Sequence, residues 1–168
     1  MKQGLDVKHI NPFLQSTMKI FENAAQIKLV LGKPSVAVLD FPDHILALQV
    51  GVTGDLKGQV LLVMTIDNAK TVASKMMFGM PITELDEMST SALSELSNMI
   101  MGNTATLFST QSIRIDITPP MVMLGTQMHI TSDAQALKVP LIFEGNELVS
   151  LYICVANCLL YTSPSPRD

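Results

Sequence analysis

The chain has 168 residues, 48% hydrophobic and 15% charged, which suits one compact domain with its own core and excludes a disordered chain. Its formal net charge of −4, with no basic stretch anywhere, gives no electrostatic basis for binding nucleic acid or an anionic membrane. The opening MKQGLDVKHINPFLQ lacks the apolar run of a signal peptide, and the cleanest apolar run, LYICVA at 151–156, is far short of the roughly 20 residues that span a bilayer. A soluble, cytoplasmic protein is the expectation.

In chain order, Asn11-Pro12 predicts a helix start, with Leu14, Met18, Phe21 and Ala25 recurring at helical spacing on one apolar face. Two short strands, IKLVL and SVAVLD, follow on either side of Gly32-Lys33-Pro34. HILALQVGV and GQVLLVMTI flank the turn-like TGDLKG, and the second is apolar too continuously to alternate, which predicts a central strand. DNAKTVASKMMFG predicts a helix capped by Asp67 and stopped by Gly79 and Pro81. A long helix is expected over roughly 83–110. IRIDIT, MVMLG, MHIT, KVPLIFE and LVSLYICV are extended pieces, the last two joined as a hairpin across EGNE.

Both halves of the chain run helix, strand, proline break, then strands ending in a hairpin. The fold expected is α/β of the α+β kind: a mainly antiparallel sheet with long helices on one side and an imperfect two-fold internal repeat. Residues 1–157 make a single domain. The last eleven, CLLYTSPSPRD (158–168), look like a translated sequencing adapter and are set aside as a non-native tail. That removes Cys158 and leaves Cys154 as a small buried hydrophobe in an apolar strand, with no disulfide framework.

The long helix carries SALSELSNMIMGN (91–103), in which Ser91, Glu95 and Asn98 stand at i, i+4 and i+7. With Ser91 at zero and about 100° per residue, Glu95 falls near ~40°, Asn98 near about −20°, Gly102 near ~20° and Ala105 near about −40°. Leu85, Ala92, Leu96, Met99, Ile100 and Leu107 fall between about 80° and 180°, predicting a buried face about a third of a turn from that stripe. Gly102 in a helix interior costs about 1 kcal/mol relative to alanine, which makes sense if something approaches there. Between Lys75 and Arg114 there is no cation, while Glu84, Asp86, Glu87 and Glu95 all occur, so this face is acidic and suited to a cation from another molecule. Met101 is a candidate for lining the same surface; Met64, Met99, Met121 and Met123 are expected to fill core gaps. His9, His44 and His129 are scattered and form no metal-ligand set, and GVTGDLKG lacks the Lys-Ser/Thr ending of a phosphate-binding loop.

On these residues the sequence resembles the CheX branch of the CheC, CheX and FliY phosphatases, which act on the chemotaxis response regulator CheY. The family signature is Asp or Ser, three residues, Glu, two residues, Asn, met here by Ser91, Glu95 and Asn98, with a proline some two dozen residues on. Pro119 and Pro120 lie 21 and 22 residues after Asn98, early for that pattern, and no role is carried onto them. The resemblance runs from NPFLQSTMKIFENAA through GDLKGQVLLVMT to LYICVAN. It implies hydrolysis of the aspartyl phosphate of a phosphorylated CheY-like regulator, with Glu95 and Asn98 catalytic and Ser91, Glu95, Gly102 and Ala105 facing the partner. Asn98 would orient the attacking water and Glu95 would pair with a lysine of the regulator. It also implies a homodimer joined through the sheets, no cofactor of the protein's own, and Mg²⁺ held by the regulator. Glu22 is followed three residues later by Ala25 rather than Asn, so the first helix is expected to be structural, with one site per chain. The alternatives are a non-catalytic module of the same fold that binds a regulator or a flagellar switch component, and an enzyme of another class acting on a small molecule.

Overall fold

Residues 7–157 are described, in a computed structural model; the tail at 158–168, with its adapter reading, lies outside the described residues. Helix α1 (Val7–Ala25) leads through β1 (Val30–Leu31), β2 (Ser35–Ala37) and β3 (Asp40–Phe41) into a hairpin of β4 (Ile45–Gly54) and β5 (Leu56–Thr65). Helices α2 (Ile66–Met76) and α3 (Glu87–Ser109) follow. The chain continues through β6 (Ile115–Ile117), β7 (Met121–Gly125) and β8 (Met128–His129) to a second hairpin, β9 (Ala136–Phe143) and β10 (Asn146–Asn157).

Eight strands form one antiparallel sheet in the order β1-β9-β10-β5-β4-β6, with β2 also pairing β9 and β7 also pairing β4. The two long hairpins thus meet at the centre along β5 and β10, and each outer side is closed by two short pieces. The expected central strand is β5, whose Val60, Leu62 and Met64 face one core while Leu61 and Val63 face another. Burial on both faces is why its apolar run does not alternate. The β9–β10 turn is the expected hairpin: Glu144 (φ 52°) and Gly145 (φ 82°) are both left-handed, the two-residue geometry that matches strand twist.

The larger core holds the buried side chains of all three helices, and the smaller one, around Leu39, Phe41, Tyr152 and Cys154, holds none. The helices therefore lie on one side of the sheet, as expected. The opposite face is covered by the β3–β8 pair, where Asp40 and His129 are hydrogen-bonded, and by Phe41 packed edge-on against Tyr152. Cys154 is fully buried there and in no disulfide.

Several local expectations are corrected. Helix α1 is already formed at Val7, with Pro12 inside it rather than at its first position. The extra turn is anchored by His9, buried against the ring of Phe108 at the end of α3. The N-cap of α2 is Thr65, whose hydroxyl accepts from Asn68 N–H at 3.1 Å, and Asp67 sits in the first turn. IKLVL and SVAVLD pair over only two to three residues each, and Ile27, Leu29 and Leu39, outside the paired pieces, are buried. Met121 is exposed on an edge strand instead of filling the core.

Candidate functional site

Helix α3 starts one turn later than the sequence spacing suggests, because Asp86 caps it. The Asp86 carboxylate accepts from Ser89 N–H at 2.9 Å, and Ser89 Oγ accepts from Asp86 N–H at 2.8 Å, a reciprocal capping box. The Ser89 backbone N–H first, and then the Ser89 hydroxyl donating to the same carboxylate at 2.8 Å, stabilise its charged form and lower the Asp86 pKa below its ordinary value. The helix then runs 23 residues, so it carries the motif well inside its ends.

Its buried face consists of Ser89, Leu93, Leu96, Ser97, Ile100, Met101, Thr104 and Phe108. That arc is centred roughly 180° from the Ser91–Glu95–Asn98 stripe, not the third of a turn that the large apolar residues alone suggest. The reason is visible at Thr104: its hydroxyl donates to Ile100 C=O at 2.8 Å within its own helix, so a nominally polar side chain packs as a small apolar one. Thr17 does the same on α1, donating to Phe13 C=O at 2.7 Å. Between the two helices Asn103 Nδ2 donates to Ser16 Oγ at 2.9 Å, and Phe13 meets Phe108 edge-on. Met101 is only 2% exposed, which removes it from the surface it was a candidate to line.

Ser91, Glu95, Asn98 and Gly102 are all exposed and Ala105 is half-buried. The structure thus holds four of the five expected site residues exposed on one face of α3, while Ala105 packs partly against the core. The side chains of Glu95 and Asn98 engage no partner among the described residues, leaving both free for an incoming molecule. Around Gly102 nothing lies within 4 Å of where a Cβ would stand, so internal packing does not require glycine there. On α1, Ala25 is fully buried, so the position three residues after Glu22 presents nothing to solvent. Among the described residues no three His, Cys, Asp or Glu side chains converge on a metal site. Met88, exposed one turn before Ser91 on α3, and the exposed Phe78 and Met80 on the α2–α3 connection went unremarked in the sequence.

The sequence and the fold both match known proteins. The family model for the chemotaxis phosphatase CheX matches residues 46–144, which run from β4 through the whole of α3 to β9. The chain belongs to the CheX family. The CheY-P phosphatase CheX of Thermotoga maritima is 32% identical over 152 residues, 90% of this chain and 97% of that protein. Among solved structures, a CheC-like superfamily protein from Shewanella sp. PV-4 matches with a TM-score of 0.80 at 25% identity, over 91% of this chain and all of that one. The CheX in a CheX–CheY–BeF₃–Mg²⁺ complex from Borrelia burgdorferi matches with a TM-score of 0.77 at 26% identity, over 90% of this chain and all of that one. No helix among the described residues is long and apolar enough to cross a membrane.

Proposed function

We infer that this CheX-family chain is a phosphatase of a phosphorylated CheY-like response regulator and so ends a chemotaxis signal. The observation that carries the reading is the exposed, unpartnered Glu95–Asn98 pair on α3, in a chain 32% identical to a CheY-P phosphatase. The substrate bond is the aspartyl phosphate of the regulator. Water attacks phosphorus, the bond from phosphorus to the aspartyl oxygen breaks, and inorganic phosphate and a free carboxylate result. Such a transition state asks little of the nucleophile beyond position. The Asn98 amide both accepts and donates, so it holds a water in line without ionising. Glu95, one turn away, pairs with a lysine near the phosphoryl group, which sets the register of Asn98. Ser91 hydrogen-bonds the partner or leaves it room, and Gly102 and Ala105 permit close approach. The Mg²⁺ that offsets phosphoryl charge belongs to the regulator in this scheme.

The partner is the folded regulator, met in the cytoplasm by a homodimer of this chain. The dimer is supported by the edge made of β1 and β2, where Val30, Leu31 and Val36 are exposed beside Val38. An open strand edge with an apolar margin is the surface that strand addition covers.

The test is the decay of a phosphorylated regulator with and without substoichiometric protein. Turnover should disappear in Asn98→Ala with binding retained, and Glu95→Ala should weaken apparent affinity at least as much as turnover. Unchanged decay with binding intact would instead make α3 a docking face of a non-catalytic module.

A further inference from the structure

Two buried polar side chains of α3 bond within its own span: Ser89 with the cap residue Asp86, and Thr104 with Ile100 C=O. Asn103 does not. Its Nδ2 crosses to α1 and donates to Ser16 Oγ at 2.9 Å, with Ser16 fully buried and Asn103 half-buried. Elsewhere in the same helix pair the contacts are between rings, where Phe13 and His9 meet Phe108 edge-on. Apolar contact is non-directional and tolerates a small rotation of one helix against the other. A hydrogen bond has a direction and a narrow range of length, so it does not. In coiled coils a single buried Asn specifies register in this way, at a cost in stability.

Rotation matters here because Asn103 follows Asn98 by five residues on the same helix. The side-chain envelope of a helix reaches about 5–6 Å from its axis, so turning α3 by about 10° would carry the Asn98 amide about 1 Å. A misplacement of about 1 Å at a reacting centre costs about a hundredfold in rate. We propose that Asn103 and Ser16 are positioning residues of the phosphatase site, whose hydrogen bond fixes the rotation of α3 against α1 and so the point at which Asn98 holds the attacking water. This rests on the phosphatase reading above. Ser16 is not a contact of the regulator, since it is fully buried on a helix that carries none of the site residues. Glu95 meets its lysine through a longer side chain, and an ion pair between two flexible chains absorbs the same rotation. The signature of a lost tie is therefore a lower kcat at an unchanged KM.

The test follows turnover of the phosphorylated CheY proteins of Borrelia burgdorferi and Thermotoga maritima, well below the melting temperature, and affinity for the same regulators loaded with BeF₃⁻ and Mg²⁺. Ser16→Ala, and Ser16→Ala combined with Asn103→Leu, should lower kcat at least about tenfold with KM and Kd within about twofold of the parent. The double variant leaves neither partner unpaired, so its melting temperature should equal or exceed the parent's, which separates a lost aim from a lost fold. Asn103→Asp should keep kcat within about threefold, because the Ser16 hydroxyl donates to a carboxylate as readily as it accepts from an amide. Parental kcat in Ser16→Ala and in the double variant, with Asn98→Ala still inactive, would overturn the proposal and leave the phosphatase reading standing. A raised KM with kcat held would also overturn it, by making Asn103 a contact of the regulator. So would an Asn103→Asp variant as slow as the double one. If the parent accelerates the decay of neither regulator, the phosphatase reading falls and this proposal with it.

Discussion

Gly102 separates what the fold needs from what a partner needs. Its backbone is helical and a Cβ there would meet nothing within 4 Å, so Gly102→Ala removes only the entropic penalty of a helical glycine. The expected result is a gain of about 1 kcal/mol in stability, read as a rise of about 2–4 °C in melting temperature. The same methyl group stands on the stripe shared by Glu95 and Asn98, so KM for the phosphorylated regulator should rise while the fold becomes firmer. A variant both more stable and equally active would show that nothing approaches this turn. At this scale the site was legible because its signal is a spacing: Ser91, Glu95 and Asn98 share a face in any regular helix. The burial of Met101 was not legible, because it depends on which neighbours α3 packs against. The exposure of Phe78 escaped for the same reason, since MFG reads only as a helix stop.

Helix α3 is placed by its cap and by the small side chains on its inner face. The capping box between Asp86 and Ser89 fixes where the first turn begins, and hence the phase at which Glu95 and Asn98 emerge. The pH dependence follows from the lowered Asp86 pKa. A carboxylate whose folded pKa is below its ordinary 3.8 contributes stability that is complete above that value and is lost as pH falls through the folded one. Acid titration below about pH 4 should therefore melt the parent protein more steeply than Asp86→Ala, and at pH 7 that variant should melt a few degrees lower. Equal acid profiles would show that the cap adds nothing. The element inventory was legible from periodicity, but the phase of α3 was not. Ser89, Ser97 and Thr104 count as polar in a pattern, yet they pack as small residues once Ser89 is bonded within the cap and Thr104 to its own helix. Likewise the helical turn ahead of Pro12 sets His9 against Phe108, a contact between residues far apart in sequence.

The whole molecule keeps its two exposed surfaces apart. The edge formed by β1 and β2 is separated from β4, beneath α3, by β9, β10 and β5, four strand spacings or about 19 Å. Val30, Leu31, Val36 and Val38 leave that edge apolar, with Val36 65% and Val38 74% exposed. The opposite edge, with Met121 and Leu124 exposed on β7, lies beside β4 and so closer to α3. A dimer through the β1/β2 edge leaves both α3 stripes open, whereas one through β7 would crowd them. Val36→Lys puts an ammonium into the proposed contact without touching either core, and should raise the dimer dissociation constant by at least about tenfold. Sedimentation velocity reads that shift directly, and the phosphatase assay run on the resulting monomer should give an unchanged kcat/KM per chain. A dimer undisturbed by Val36→Lys but broken by Leu124→Lys would move the contact to β7. Dimerisation would then lie beside the site, and regulator binding would have to compete with it.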